Sequence, residues 1–247
     1  MTFFGLLPDL LAIPADLDLR LLLDFNSLVP VNHVAQTLFY FPAENALVRG
    51  FPIFFPLLAM WFSHETQRQR ARMATGLLAG CAATIFSVWL QKHIQVDVRP
   101  FLDPNLHLRG MDLVPRDDWN HLSSFPSDTA TMFFAFSTVV LLEHRIAGAI
   151  AYLWSIVITG IIRVAVGWHY PSDVAAGMLL GSGVVLLITR VDYLVGLVEG
   201  MLTRFKSRMQ IINALFVLFM ADALCLFVYD LQILHRIREF YDLIASR

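Results

Sequence analysis

Three short clusters in this sequence combine residue types that bind anions and attack electrophiles. The first, Lys92-His93-Ile94-Gln95-Val96-Asp97-Val98-Arg99-Pro100, closes an apolar run. Pro100 disfavours helical backbone at Arg99, so the chain leaves the helix there and can aim the guanidinium inward. Taken alone the cluster says little, because Lys and Arg at the ends of apolar helices commonly snorkel to the membrane interface. The second, Ser123-Ser124-Phe125-Pro126-Ser127-Asp128-Thr129-Ala130, opens another apolar run. Proline among small hydroxyl residues marks a helix start, and a helix N-terminus presents free N–H groups to an anion, although ordinary capping explains the same residues. The third is Arg163-Val164-Ala165-Val166-Gly167-Trp168-His169-Tyr170-Pro171-Ser172-Asp173. Pro171 and Ser172 start a helix, with Asp173 in its first turn and His169 just before it, close enough for the carboxylate to hold an imidazole N–H. Such a partner selects the tautomer and raises the nucleophilicity of the other ring nitrogen. A lone histidine is more often structural. A His–Asp pair beside an arginine, facing a second helix start and two further cations, is a candidate anion site with a histidine nucleophile.

The elements that must position these residues are membrane helices. The 247-residue chain is 57% hydrophobic and 15% charged, with a mean hydropathy of +0.63, outside the range of ordinary soluble domains. A net charge of −2, with no basic run interleaved with exposed aromatics, excludes a nucleic-acid footprint. Cys81 and Cys225 sit in separate apolar stretches and read as small buried hydrophobes rather than a disulfide or metal site. Apolar runs near the length of a span fall at about 46–63, 73–92, 128–143, 146–166, 174–190 and 209–231, which predicts an all-α polytopic bundle of about six transmembrane helices. Residues 1–42 are interrupted by Pro8, Asp9, Pro14, Asp16, Asp18, Arg20, Asp24, Asn26, Pro30 and Asn32. No window there is clean enough to cross about 30 Å of hydrocarbon, so amphipathic interfacial helices are expected. The N-terminus does not have the order of a signal peptide and is expected to be retained.

The connection from about 95 to 126 is polar, rich in Pro and Asp, and far longer than the other turns, as functional loops are. Arg68, Arg70 and Arg72, then Arg145, then Arg190, Arg204, Lys206 and Arg208 place three connections on one side, expected to be the cytoplasm. The 95–126 loop and the 167–173 turn then lie outside; in a bacterium this would be the periplasmic face of the inner membrane. Gly76 with Gly80, and Gly177 with Gly181, are small-xxx-small pairs expected to pack helices within the chain. Asp222, an acid inside the last apolar run, is expected to be buried and hydrogen-bonded. The implied division is an interfacial segment over 1–45, a catalytic core over 46–190, and a cytoplasmic linker, last span and tail over 191–247.

With the three clusters in this order on such helices, the sequence resembles the type 2 phosphatidic acid phosphatase superfamily, which includes the vanadium haloperoxidases. That family carries K-x6-R-P, then P-S-G-H, then S-R-x5-H-x3-D. Lys92, Arg99 and Pro100 match the first. Pro126 and Ser127 match half of the second, where Asp128 replaces Gly and Thr129 replaces His. Arg163, His169 and Asp173 match the third, with Ile162 in place of its leading Ser. The resemblance covers about residues 46–190 and implies that Lys92, Arg99 and Arg163, with Ser127, hold the phosphoryl oxygens. It likewise implies that His169 is the nucleophile that becomes a phosphohistidine, that Asp173 orients it, and that no metal or other cofactor is needed.

The departure at Thr129 bears on the substrate. In the family the second-cluster His protonates the leaving oxygen, and a threonine hydroxyl is far too weak an acid to do so near neutral pH. His121 and Asp128 are the nearby alternatives, but neighbouring cations favour an ionised Asp128, which has no proton to give. A diphosphate needs no such acid, because its leaving group is a phosphate monoester anion whose conjugate acid has a pKa of about 6. The leading expectation is therefore a polyprenyl diphosphate phosphatase resembling the bacterial enzymes that recycle undecaprenyl diphosphate. A lipid phosphomonoesterase acting on phosphatidic acid, phosphatidylglycerophosphate or lipid A, a lipid-linked phosphotransferase, and a non-catalytic lipid- or partner-binding protein that kept the phosphate cradle are the alternatives. The expected partners are a lipid phosphate or diphosphate and the membrane; nothing in the sequence names a protein partner.

Overall fold

In the membrane a backbone polar group has no water to turn to, so an apolar chain of this composition closes its hydrogen bonds within helices. The computed structural model describes residues 15–94, 98–110 and 123–229, and over them the regular structure is helical throughout. In chain order the helices are α1 (Ala15–Ser27), α2 (His33–Glu44), α3 (Ala46–Ser63), α4 (Gln67–His93), α5 (Asp128–Glu143), α6 (Arg145–Ala165), α7 (Pro171–Ile188), α8 (Asp192–Arg204) and α9 (Met209–Tyr229). A 3₁₀ turn over Pro100–Leu102 follows α4. Most starts carry a polar cap that satisfies an orphan N–H. Asn32 accepts from Val34 and Ala35, Asn45 from Val48, Thr66 from Gln69, and Ser127 from Ala130.

Helices stand at all six predicted positions. Among the described residues, four helical runs are long and apolar enough to cross a membrane: His33–Ser63, Gln67–His93, Arg145–Ala165 and Pro171–Ile188. The first differs from the sequence reading, which ended the N-terminal segment at residue 45. Helices α2 and α3 instead form one apolar run, broken only at Asn45, whose extended backbone and capping side chain end one helix and start the next. Helix α5 falls short at 16 residues, about 24 Å at 1.5 Å per residue. It does not have to face lipid. All residues from Thr129 to Val140 are buried, and α4, α6 and α7 pack around it.

Small residues permit that packing. A Cβ added at Gly80 would lie 3.0 Å from Ala135 Cβ, and one at Gly76 would lie 2.8 Å from Val139 Cγ2. At Gly177 and Gly181 it would meet the α5 backbone at Ser127 and Thr131. Both glycine pairs thus serve contacts within the chain, as expected. Ile53, Leu57, Met73, Phe133, Phe136 and Val140 fill the space between α3, α4 and α5. Buried and half-buried hydroxyls link the helices: Tyr152 joins Thr138 and Ser182, and Ser137 meets Ser155 at 3.0 Å.

Polar side-chain contacts gather the three basic connections at one end. His64 Nε2 lies 3.3 Å from Glu143, and Arg68 pairs with Asp192 at 2.6 Å and Glu199 at 3.1 Å. The segment read as a linker after residue 191 contains helix α8, which Arg68 ties to α4. At the other end, Phe101 N–H donates to Gly167 O, Ser123 N–H to Gln91 O and Ser127 N–H to Asp173 O, drawing the three clusters together. The Asp222 side chain lies outside the described ones.

Candidate active site

His169 is fully buried in the short turn between α6 and α7. Gly167 makes the turn possible: its φ of 80° reverses the chain after Val164, and a Cβ there would run into Leu108. The His169 Nδ1 lies 3.1 Å from the Ser124 carbonyl and 3.6 Å from Asp173 Oδ2. The shorter contact decides the tautomer. A carbonyl only accepts, so Nδ1 carries the proton and the lone pair sits on Nε2. Nε2 is buried with no hydrogen-bond partner among the described residues. Asp173 is engaged elsewhere as well, since its Oδ2 accepts the Tyr170 N–H at 2.8 Å and so closes the start of α7. It therefore lies beside the imidazole and holds the turn, while the Ser124 carbonyl takes the ring's Nδ1–H.

Two guanidinium groups share this environment. The Cζ of Arg163 lies 4.0 Å from the ring centroid of Trp168, which itself meets Tyr40 edge-on at 5.4 Å. Immediately before Arg163, the helix widens into a π-helical stretch over Ile156–Ile162. Such insertions rotate the downstream side chains about the helix axis and recur at functional sites. Arg99 reaches the site from the backbone turn before Pro100, as expected for a residue preceding proline. The Nε atoms of both arginines are buried without hydrogen-bond partners among the described residues. Burial lowers the Arg99 guanidinium from its usual value, opposed by Asp128 and Asp173. Burial, then Arg99 and Arg163, hold the His169 imidazole well below the ordinary histidine range, which leaves it neutral.

The second cluster is positioned by α4. Gln91, 1% exposed, donates to the Pro126 carbonyl at 2.6 Å and to Asp128 Oδ1 at 3.3 Å, and Ser87 donates to the same carbonyl at 3.1 Å. The Phe125–Pro126 bond is cis. Ser127 is fully buried as the cap of α5, its Oγ accepting from Ala130 N–H, which leaves the hydroxyl proton available to an anion. Asp128 interacts electrostatically with His169, Arg99 and Arg163, and Thr129 is buried in the first turn of α5.

Of the residues singled out in the sequence, His169, Asp173, Arg99, Arg163, Ser127 and Asp128 therefore converge. Lys92 is exposed on the last turn of α4, with no ion pair among the described residues. His121 lies outside the described residues. Gln91, Ser87 and the Ser124 carbonyl are additions that sequence reasoning missed. The signal for the first two was present, since they are polar residues one turn apart on an apolar helix, next to Lys92.

The chain belongs to the PAP2 superfamily, whose family model matches residues 73–196, a stretch containing every converging residue. With its apolar helices, that makes it a membrane phosphatase of this type. The undecaprenyl-diphosphatase BcrC of Bacillus subtilis is 33% identical over 163 residues, covering 64% of this chain and 72% of that protein. A lipid A 1-phosphatase of Rhizobium johnstonii is 28% identical over 166 residues, covering 64% of this chain and 66% of the relative. No solved structure matches the chain.

Proposed function

We propose that the protein hydrolyses a polyprenyl diphosphate, such as undecaprenyl diphosphate, through a phosphohistidine at His169. The observation that carries the reading is a buried imidazole nitrogen with a free lone pair, His169 Nε2, beside two arginines whose Nε atoms also lack partners among the described residues. Nε2 attacks the terminal phosphorus, the bond from phosphorus to the bridging oxygen breaks, and the lipid monophosphate leaves. Water then attacks the phosphohistidine, releasing inorganic phosphate and restoring Nε2. Arg99 and Arg163 hold the equatorial oxygens, where charge accumulates, Ser127 and the first N–H groups of α5 add donors, and Lys92, by its match to the family's first cluster, adds a further cation. Asp173 balances the charge that forms on the ring.

Thr129 supports the choice of a diphosphate. No second-cluster histidine is present to protonate an alkoxide, and positioned general acids typically contribute about 10²–10⁴-fold. A phosphate leaving group does without that help. The BcrC relative is named for a diphosphate substrate; the lipid A relative is named for a lipid phosphate, so monoesters form the other arm of the test. The catalytic end is proposed to face away from the cytoplasm, supported by the basic residues gathered at the opposite end.

Phosphate release from purified protein should be much faster with a polyprenyl diphosphate than with the corresponding monophosphate or phosphatidic acid. It should be blocked by vanadate and lost in His169→Ala. Equal rates on both substrate classes would sink the leaving-group argument, and turnover by His169→Ala would sink the nucleophile. Thr129→His should raise monoester hydrolysis more than diphosphate hydrolysis.

A further inference from the structure

Helix α1 lies outside the stretch matched by the family model, yet it is docked on the catalytic turn. Asp18, Leu22 and Asn26, spaced at one helical face, are 8%, 0% and 6% exposed. Leu17, Leu19 and Leu23 point the other way and are exposed, as suits a helix lying along a membrane surface. The buried face grips both ends of the segment that carries His169. At the far end, Asp18 Oδ1 accepts the Ser172 N–H at 2.9 Å and Oδ2 accepts the Ser172 hydroxyl at 2.5 Å. At the near end, the Asn26 amide donates to the Ala165 carbonyl at 2.7 Å. Asn26 also donates to the Arg109 carbonyl and accepts the Arg109 N–H, both at 3.0 Å, tying in the loop that follows Arg99.

Leucines alone would suffice if α1 only had to pack. Burying a carboxylate is costly unless its hydrogen bonds require it, and burial does push the Asp18 carboxyl above its usual range, against the pull of the two Ser172 bonds. Ser172 sits between His169 and Asp173 in the helix start, so whatever fixes Ser172 fixes the backbone from which both project.

We propose that α1 is a built-in brace of the active site and that Asp18 is a positioning residue, acting through Ser172 to hold His169 in line for attack. This rests on His169 as the nucleophile. The turn 166–171 is spanned by two anchors on one rigid helix, and loss of either lets the imidazole drift relative to Arg99 and Arg163. Displacements on the order of 1 Å remote from the chemistry can cost about 10²-fold in rate.

The experiment is rapid-quench measurement of phosphohistidine formation with a polyprenyl diphosphate, on the full chain in detergent or bilayer. Wild-type turnover without a trapped phosphohistidine overturns the nucleophile assignment, whatever Asp18 does. With the intermediate present in wild type, Asp18→Ala should form it about 10- to 100-fold more slowly per folded molecule while KM stays within about twofold. Asp18→Asn should recover most of the rate, because its amide oxygen can still accept the Ser172 N–H. Leu23→Ala, on the outward face, should match wild type. A wild-type rate in Asp18→Ala overturns the brace, as does a loss carried by KM alone. If Asp18→Ala does not fold, Ser172→Ala and Asn26→Leu decide: slower phosphohistidine formation at unchanged KM supports the brace, and wild-type rates in both overturn it.

Discussion

The two ends of the helical bundle use arginine in opposite ways. At one end, Arg68 reaches Asp192 and Glu199 with its side chain 46% exposed and that of Asp192 85% exposed. At the other, Arg99 and Arg163 bury their Nε atoms with no hydrogen-bond partner among the described residues, and Arg163 lies against the face of Trp168. The first arrangement is solvated, screened and worth little to the fold. The second keeps charge away from water, which is unfavourable until an anion arrives and strengthens the interaction once it does. The difference supports the proposal that the site end receives an anion, whereas the opposite end is paired within the chain.

The comparison would be broken most decisively by lysine at the site end. Arg99→Lys and Arg163→Lys should each lower kcat by about 10²–10³-fold, because a planar fork holds two phosphoryl oxygens and an ammonium cannot. The fold should survive, so circular dichroism and elution volume should match wild type. Near wild-type rates in both variants would make these arginines structural, like Arg68. A smaller effect is expected from Gln91→Ala, which removes a buried donor from Pro126 and Asp128. A destabilisation of about 1–3 kcal/mol should appear as a lower Tm in detergent. An unchanged Tm would show that Ser87 alone holds the second cluster.

The electrostatic contrast also sets a pH dependence. The His169 imidazole is neutral until the pH falls well below the ordinary histidine range, because burial and the two arginines oppose its protonation. The reactive form is the neutral one, so kcat/KM for the free enzyme should persist into acid and decline only as the pH drops through that depressed pKa. Removing positive charge with Arg99→Ala should move this acid limb upward. A limb that stays in place would mean that another group governs it. The smallest effect belongs to the other end: Arg68→Ala should leave activity unchanged and cost less than about 1 kcal/mol of stability, declining further with added salt.

Much of the fold was legible because its causes are local. Apolar length set the six helical positions, the Pro126–Ser127 and Pro171–Ser172 pairs marked helix starts, and Gly76, Gly80, Gly177 and Gly181 announced close helix approach. The order of Lys92, Arg99, Ser127, Arg163, His169 and Asp173 was enough to expect a histidine site among cations. Less legible was the role of the N-terminal segment, where polar interruptions in 1–42 read as interfacial and gave no sign that Asp18 would meet a residue 154 positions away.

The sequence by itself thus determined which stretches are helical and apolar, which helices approach closely, and which residue types supply the chemistry, since periodicity, capping and spacing act over a few residues. Only the tertiary structure decided which of those residues share one buried space. It left Lys92 exposed although its neighbour Gln91 turns inward, because adjacent helical residues project about 100° apart and only one of them can face α5. It gave the His169 ring to the Ser124 carbonyl, 45 residues distant, ahead of the Asp173 that the i,i+4 spacing suggested. A backbone carbonyl carries no signature in residue identity, so only the packing of α5 against α7 brings it there.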